Sequence, residues 1–154
     1  MAPFIERLHD LPSGRVGDLL CEGERVGSRI VRRLVDEWAN GANRFDRPGE
    51  ALFGAWVGER LVGVCGLNID PYAHDERVGR VRHLYVLSAF RRLGVGRHLV
   101  ADVMKAARGR FDNLRLRTGN PAAARLYETL GFRPSIGSGE DTHVIELASE
   151  PRLP

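Results

Sequence analysis

Cysteine is scarce in this chain: Cys21 and Cys65 are the only two among 154 residues. Such a pair makes neither a disulfide framework nor a zinc-ligand spacing. The five histidines, His9, His74, His83, His98 and His143, include no two that lie three or four residues apart, as a helical metal site requires, so no metal is expected. No apolar run reaches the roughly 18 residues that cross a bilayer. Glu6, Arg7, His9 and Asp10 break the first stretch that could act as a signal segment. These gaps point to a cytoplasmic protein without membrane association. Internal repeats, low-complexity tracts and Pro/Gly/Ser linkers are missing too, which leaves one domain over residues 1–154, its ordered core at about 3–148 and a tail at 149–154. Lysine is almost missing, since 22 of the 23 basic residues are arginine and only Lys105 is not. A genome rich in arginine codons accounts for the global bias but not for where the charge falls.

Hydrophobic residues make up 43% of the chain and charged ones 28%, enough apolar material for a real core. The net charge of +3 is unevenly spread, with −4 on residues 1–76, +10 on 77–133 and −3 on 134–154. A positive stretch in an acidic surround suits a polyanionic small molecule or nucleic acid. Aromatics in that stretch are Tyr85, Phe90, Phe111, Tyr127 and Phe132, most of them fitting core positions. Nucleic-acid binding therefore ranks last, and no nucleic acid partner is expected.

Hydrophobic spacing predicts the elements in turn. Phe4–Leu8 alternates as a strand, and a helix follows the Pro12-Ser13-Gly14 punctuation. Ile30, Val31, Leu34, Val35 and Trp38 mark an amphipathic helix over Ser28–Trp38, with Ser28 as N-cap and Gly41 as stop. Ala51–Val57 and Leu61–Ile69, joined by Gly58-Glu59-Arg60, read as a hairpin. Val78–Leu87 is another strand, and from Gly94 to near Gly109 the period turns helical. A strand at Leu114–Arg117, a helix at Pro121–Leu130 closed by Gly131, and a last strand at Thr142–Leu147 complete a mixed sheet with helices on both faces.

The sharpest local signal is Arg91-Arg92-Leu93-Gly94-Val95-Gly96-Arg97, placed after a strand and opening a helix. Small residues there let backbone N–H groups converge, and the helix start adds partial positive charge, so a phosphate can sit on it. A dinucleotide fingerprint fails because position 99 is Leu, and a P-loop fails because Gly96 is followed by Arg97 and His98.

Leu84-Tyr85-Val86, then Arg91-x-x-Gly94-x-Gly96, then Asn120-Pro121-Ala122-Ala123-Ala124-Arg125-Leu126-Tyr127-Glu128-x-x-Gly131-Phe132 follow one another in order. Together they resemble the GCN5-related N-acetyltransferase (GNAT) family. The resemblance implies an α/β (α+β) acyl-CoA N-acyltransferase fold: a mixed, mostly antiparallel sheet of six to seven strands, helices on both faces, and splayed central parallel strands at Val81–Leu87 and Leu114–Arg117. It also implies acetyl-CoA as donor, a small-molecule or peptide amine as acceptor, and compatibility with a homodimer. By the same resemblance, backbone groups of Leu84, Tyr85 and Val86 bond the acetyl-pantetheine. The loop of Arg91, Arg92, Leu93, Gly94, Val95, Gly96 and Arg97 wraps the pyrophosphate, and Asn120 contacts the cofactor's arm.

Acetyl transfer needs a neutral amine, a polarised thioester carbonyl and a proton for the departing thiolate. Tyr127 stands where the family commonly places its general acid; packing on the buried face of the last helix is the competing reading. Many relatives carry a Glu two residues before the Leu84 equivalent or five before the Asn120 equivalent, and here those positions are Arg82 and Arg115. Guanidinium groups take no proton at working pH. His83 is the candidate base, with His74, Asp75, Glu76, His143 or a water chain as substitutes. Arg80 and Arg82 share one face of their strand, as do Arg115 and Arg117 of the next; they either face an acceptor pocket and read an acidic acceptor, or lie along a solvated edge. Cys65, Trp38, Trp56 and Phe53 are expected to pack. The departure at positions 82 and 115 leaves a second reading, an acyl-CoA-binding sensor without transfer activity.

Overall fold

Alternating and helical apolar periods resolve, in the computed structural model, into β1 (Phe4–Arg7), α1 (Gly17–Arg25), α2 (Ile30–Asn40), β2 (Ala51–Val57), β3 (Arg60–Ile69), β4 (Val78–Val86), α3 (Val95–Ala107), β5 (Asn113–Leu116), α4 (Pro121–Thr129), β6 (Arg133–Pro134) and β7 (His143–Glu146). The structure describes residues 2–136 and 139–147; the tail assigned to 149–154 lies outside them. Among the described residues seven strands form one sheet in the order β1-β2-β3-β4-β5-β7-β6, in which only β4 and β5 are parallel neighbours. The order of elements along the chain is the expected one.

Several boundaries differ by about a residue, and the start of α2 shows why. Ser28 stands one residue before the N-cap, which is Arg29 and makes no side-chain cap of its own; Ser28 Oγ accepts from Ile30 N–H (3.4 Å), and its backbone N–H closes the preceding turn on the Gly23 carbonyl (2.8 Å). Gly41 ends the helix at φ 82°, the left-handed conformation that glycine adopts most cheaply. The six α3 residues Val95, Leu99, Val100, Val103, Met104 and Ala107 are all buried against the sheet. On one face of β3, Gly63 lies against Leu99 of α3. On the other, Gly66 lies against Phe45, whose ring stacks on Trp38 of α2. Helices thus cover both faces, and the core runs along β3 and β4 between them.

Two irregularities in β4 matter most. Parallel pairing with β5 covers only Val78–Arg80 against Asn113–Arg115, and β4 then continues to Val86 paired with β3 alone. Past Leu116 the chain turns away toward β7, where Thr142 N–H donates to the Leu116 carbonyl (2.8 Å) and Thr118 N–H to Thr142 Oγ1 (3.0 Å). The second is a bulge. Val64 pairs with Tyr85 and Gly66 with Arg82, so Cys65 alone faces His83 and Leu84, and His83 takes φ 61°. A bulge bends its strand and re-aims its side chains. Here it sits at the mouth of the gap.

Candidate functional site

The gap between β4 and β5 is flanked by two cavities, and Leu84 lines both. The first, of about 640 Å³, takes Leu84, Tyr85 and Val86 from β4, Arg91, Arg92, Gly94, Gly96 and Arg97 from the loop and α3, and Asn120, Arg125 and Leu126 from the start of α4. Arg92 (φ 64°) and Gly94 (φ 82°) are both left-handed, which folds the loop sharply into α3. No side chain caps that helix, so its first N–H groups have no intrahelical acceptor. Gly96 lies close under Leu126, where an added Cβ would come within 3.2 Å of its methyl. Of the expected loop residues, Leu93 is 65% exposed and Val95 is buried in the core, and neither lines the cavity.

A strap that sequence reasoning missed holds this loop. Glu22 of α1 accepts hydrogen bonds from Tyr85 Oη (2.9 Å), Ser88 N–H (2.9 Å) and Ser88 Oγ (3.1 Å), with the Arg91 guanidinium 3.7 Å away. Burial alone would raise its carboxyl, but those bonds and Arg91 outweigh it and hold it below the usual carboxylate value. Arg91 also donates to the Val86 carbonyl (2.9 Å) and lies over the Tyr85 ring. It braces the strand end as well as lining the cavity. Asn120 caps α4, its Oδ1 accepting from Ala122 N–H (2.9 Å) and Ala123 N–H (3.4 Å), an arrangement worth about 1 kcal/mol. That leaves its Nδ2 for a ligand.

The second cavity, of about 470 Å³, is lined by Arg29, Ile30 and Arg33 of α2, Arg80, Val81, Arg82, His83 and Leu84 of β4, and Tyr72, Arg117, Thr118, Tyr127 and Glu140. Arg82 and Arg80 share a face as the alternation requires. Arg117 joins them, and Arg115 does not. The His83 side chain is only 5% exposed. Burial, with Arg82 and Arg33 nearby, pushes it down to about 3, so the ring is neutral at any working pH. Among the described residues its Nε2 has no hydrogen-bond partner, nor has Glu37 Oε2 3.8 Å away. Tyr127, 5% exposed, packs edge-on against Phe132 at 5.6 Å, and burial with Cys65 beside it pushes the phenol well above its usual value. It keeps its proton and is a weaker acid than a free phenol. Cys65 is fully buried and its thiol is pushed up to about 12, so it packs rather than attacks. The other candidate bases stand elsewhere: His74, Asp75 and Glu76 do not line the cavity, and His143 Nε2 is held on Glu128 Oε2 at 2.9 Å.

Residues 24–132 match the model of the acetyltransferase (GNAT) family. The chain belongs to this family. Among GNAT-related proteins, N-alpha-acetyltransferase 30 of Xenopus laevis is 40% identical over 86 residues, which are 54% of this chain and 32% of that protein. The N-alpha-acetyltransferase RimI of Mycobacterium tuberculosis is 32% identical over 90 residues, 56% of this chain and 54% of the relative. The match thus spans about a third and about half of the curated relatives' lengths. A crystal structure of a candidate acetyltransferase from Exiguobacterium sp. 255-15 superposes with a TM-score of 0.83 at 28% identity, over 95% of this chain and 94% of that one. The seven-stranded sheet with its parting parallel pair is the GNAT fold.

GNAT proteins use an acyl-CoA; the first cavity brings the uncapped start of α3 together with the guanidinium groups of Arg92, Arg97 and Arg125 and with apolar Leu84, Val86 and Leu126, a lining that could hold its phosphates and its arm. Arg29, Arg33 and Glu37, which sequence reasoning passed over, fall four residues apart on α2 and so on one helix face. That spacing was a readable signal.

Proposed function

We propose that the chain is an acetyl-CoA-dependent N-acetyltransferase acting on a primary amine of a small molecule or peptide. The observation that carries this reading is the meeting of the two cavities at Leu84, one suited to a coenzyme A thioester and one to its acceptor, where β4 and β5 part. When bound, the thioester supplies an activated acyl carbon: a C–N bond to the amine forms as the C–S bond breaks, and the proton lost by the amine leaves with the thiol.

The residues of this chain then divide the work. Arg92, Arg97, Arg125 and the amides of Gly94 to Arg97 hold the phosphates, and main-chain groups of Leu84 to Val86 orient the thioester arm. Tyr127 hands its phenolic proton to the departing sulfur and regains one from the amine nitrogen as the C–N bond is made, so the phenol is restored and the thiol leaves with a single proton. No carboxylate stands at the two positions where relatives carry one, and the cavity offsets this electrostatically. An ammonium entering among guanidinium groups is disfavoured against the neutral amine, the nucleophilic form. His83, always neutral, accepts a hydrogen bond from that amine and aims its lone pair.

The test is thiol release from acetyl-CoA across an amine panel, with mass spectrometry of the products. Transfer to at least one amine, with one acetyl group gained per thiol released, is expected. Coenzyme A binding without turnover on every amine would overturn the reading in favour of a sensor.

A further inference from the structure

The cavity beyond Leu84 holds five guanidinium groups and one carboxylate residue, Glu140. Only part of that positive charge is answered within the protein. Arg80 is answered: it pairs with buried Asp70 at 3.5 Å, donates to the Glu140 carbonyl and lies over the Tyr72 ring at 4.9 Å. Arg82 faces Glu37 at 3.9 Å. Arg117 gives one N–H to the Gly139 carbonyl (3.0 Å), leaving the rest of its fork. Arg29 and Arg33 make no ion pair among the described residues.

Their position is also wrong for the helix that carries them. The start of α2 has no acidic residue in its first turn and no side-chain cap, and Arg29 occupies the N-cap itself. Cations there oppose the helix dipole, a placement that does not help α2. The same N-terminus adds its own partial positive charge to the cavity. His83 lines the same cavity; its Nε2 is enclosed beside Glu37 Oε2 at 3.8 Å, and neither atom has a hydrogen-bond partner among the described residues.

Building on the proposed transferase reading, we infer that the acceptor amine also carries an acidic group, a carboxylate or a phosphate, received by Arg29, Arg33, Arg82 and Arg117. The planar fork of guanidinium matches the paired oxygens of both groups. A volume of about 470 Å³ holds an amino acid or the first residues of a peptide. Cationic acceptors such as polyamines or lysine-rich peptides are repelled.

The experiment pairs each acidic amine with a neutral partner of the same shape: an amino dicarboxylic acid with its amide, 2-aminoethyl phosphate with ethanolamine, and a tetrapeptide acidic at its second and third residues with the uncharged analogue. Binding is read by calorimetry without acyl donor, and kcat/KM by thiol release. Acidic members should be favoured by about tenfold or more. The preference should fall toward parity in Arg29→Gln/Arg33→Gln and be partly kept in Arg33→Lys. Preference within the first two pairs identifies a small acid, and preference in the third alone an acidic peptide N-terminus. Equal binding of acidic and neutral partners, or a preference that persists in a folded double variant, overturns the inference. Acidic ligands that bind through these arginines but are never acetylated would instead overturn the transferase reading and leave the acidic specificity standing.

Discussion

The two cavities are built in different ways. The cavity proposed for coenzyme A draws most of its lining from one segment, Leu84 to Arg97, and the rest from Asn120 and α4. The arginine-lined cavity collects residues from α2, the loop before β4, β4 itself, the end of β5, α4 and the loop before β7. A phosphate cradle can be local because its donors are consecutive backbone amides at one helix start. A pocket that reads a side chain must surround it, so distant segments contribute. The cofactor end of such a site is therefore written as a motif, and the acceptor end is written in the tertiary structure.

The largest effect that would separate the two cavities comes from Gly94→Glu. A side chain at φ 82° costs about 1 kcal/mol, and its carboxylate repels the diphosphate. Calorimetry should show coenzyme A affinity down by about 100-fold or more while acidic-amine binding persists; tight coenzyme A binding would break the assignment of the loop. Tyr127→Phe comes next. Turnover should drop by about 10- to 100-fold with the Kd for coenzyme A unchanged, since only the proton donor is lost; undiminished kcat would return Tyr127 to a packing role on Phe132.

The smallest effect is a pH dependence of stability. His83 is held neutral down to about 3 in the folded chain, whereas in the unfolded chain it takes a proton near 6.5. The unfolded state binds more protons between those values, so this residue lowers stability as pH falls from 6.5 toward 3 and has no such effect above that window. Asparagine tolerates the left-handed φ of 61° at this position. In urea unfolding from pH 7.5 to 4.5, His83→Asn should therefore lose less stability on acidification than the parent chain. Parallel curves would mean that His83 is protonated in the folded state.

Much of this is legible in the sequence. The alternation at positions 78–86 and the helical period from position 95 gave strand and helix to within a residue or two, because each buries one regular face. Arg80 and Arg82 were placed on one face by counting in twos. What remained hidden depends on contacts across the chain. Nothing in His83-Leu84 announces a bulge, which exists because two residues must oppose Cys65. The Glu22 strap spans 66 residues to Ser88 and no local rule predicts it. Ser28 does reach Ile30 N–H with its Oγ, but the helix begins one residue later than the serine suggests, with Arg29 at the N-cap.

The parting of β4 from β5 has a mechanical side. A sheet normally walls one helical layer off from the other, and here the wall has a slot with Leu84 on its sill. On the proposed reading, reactants need not queue for a common doorway: each has its own porch, and they touch only through the opening. A conjugate joining both molecules would pass through it like a rivet, clamping α2 on one side to α3 and α4 on the other.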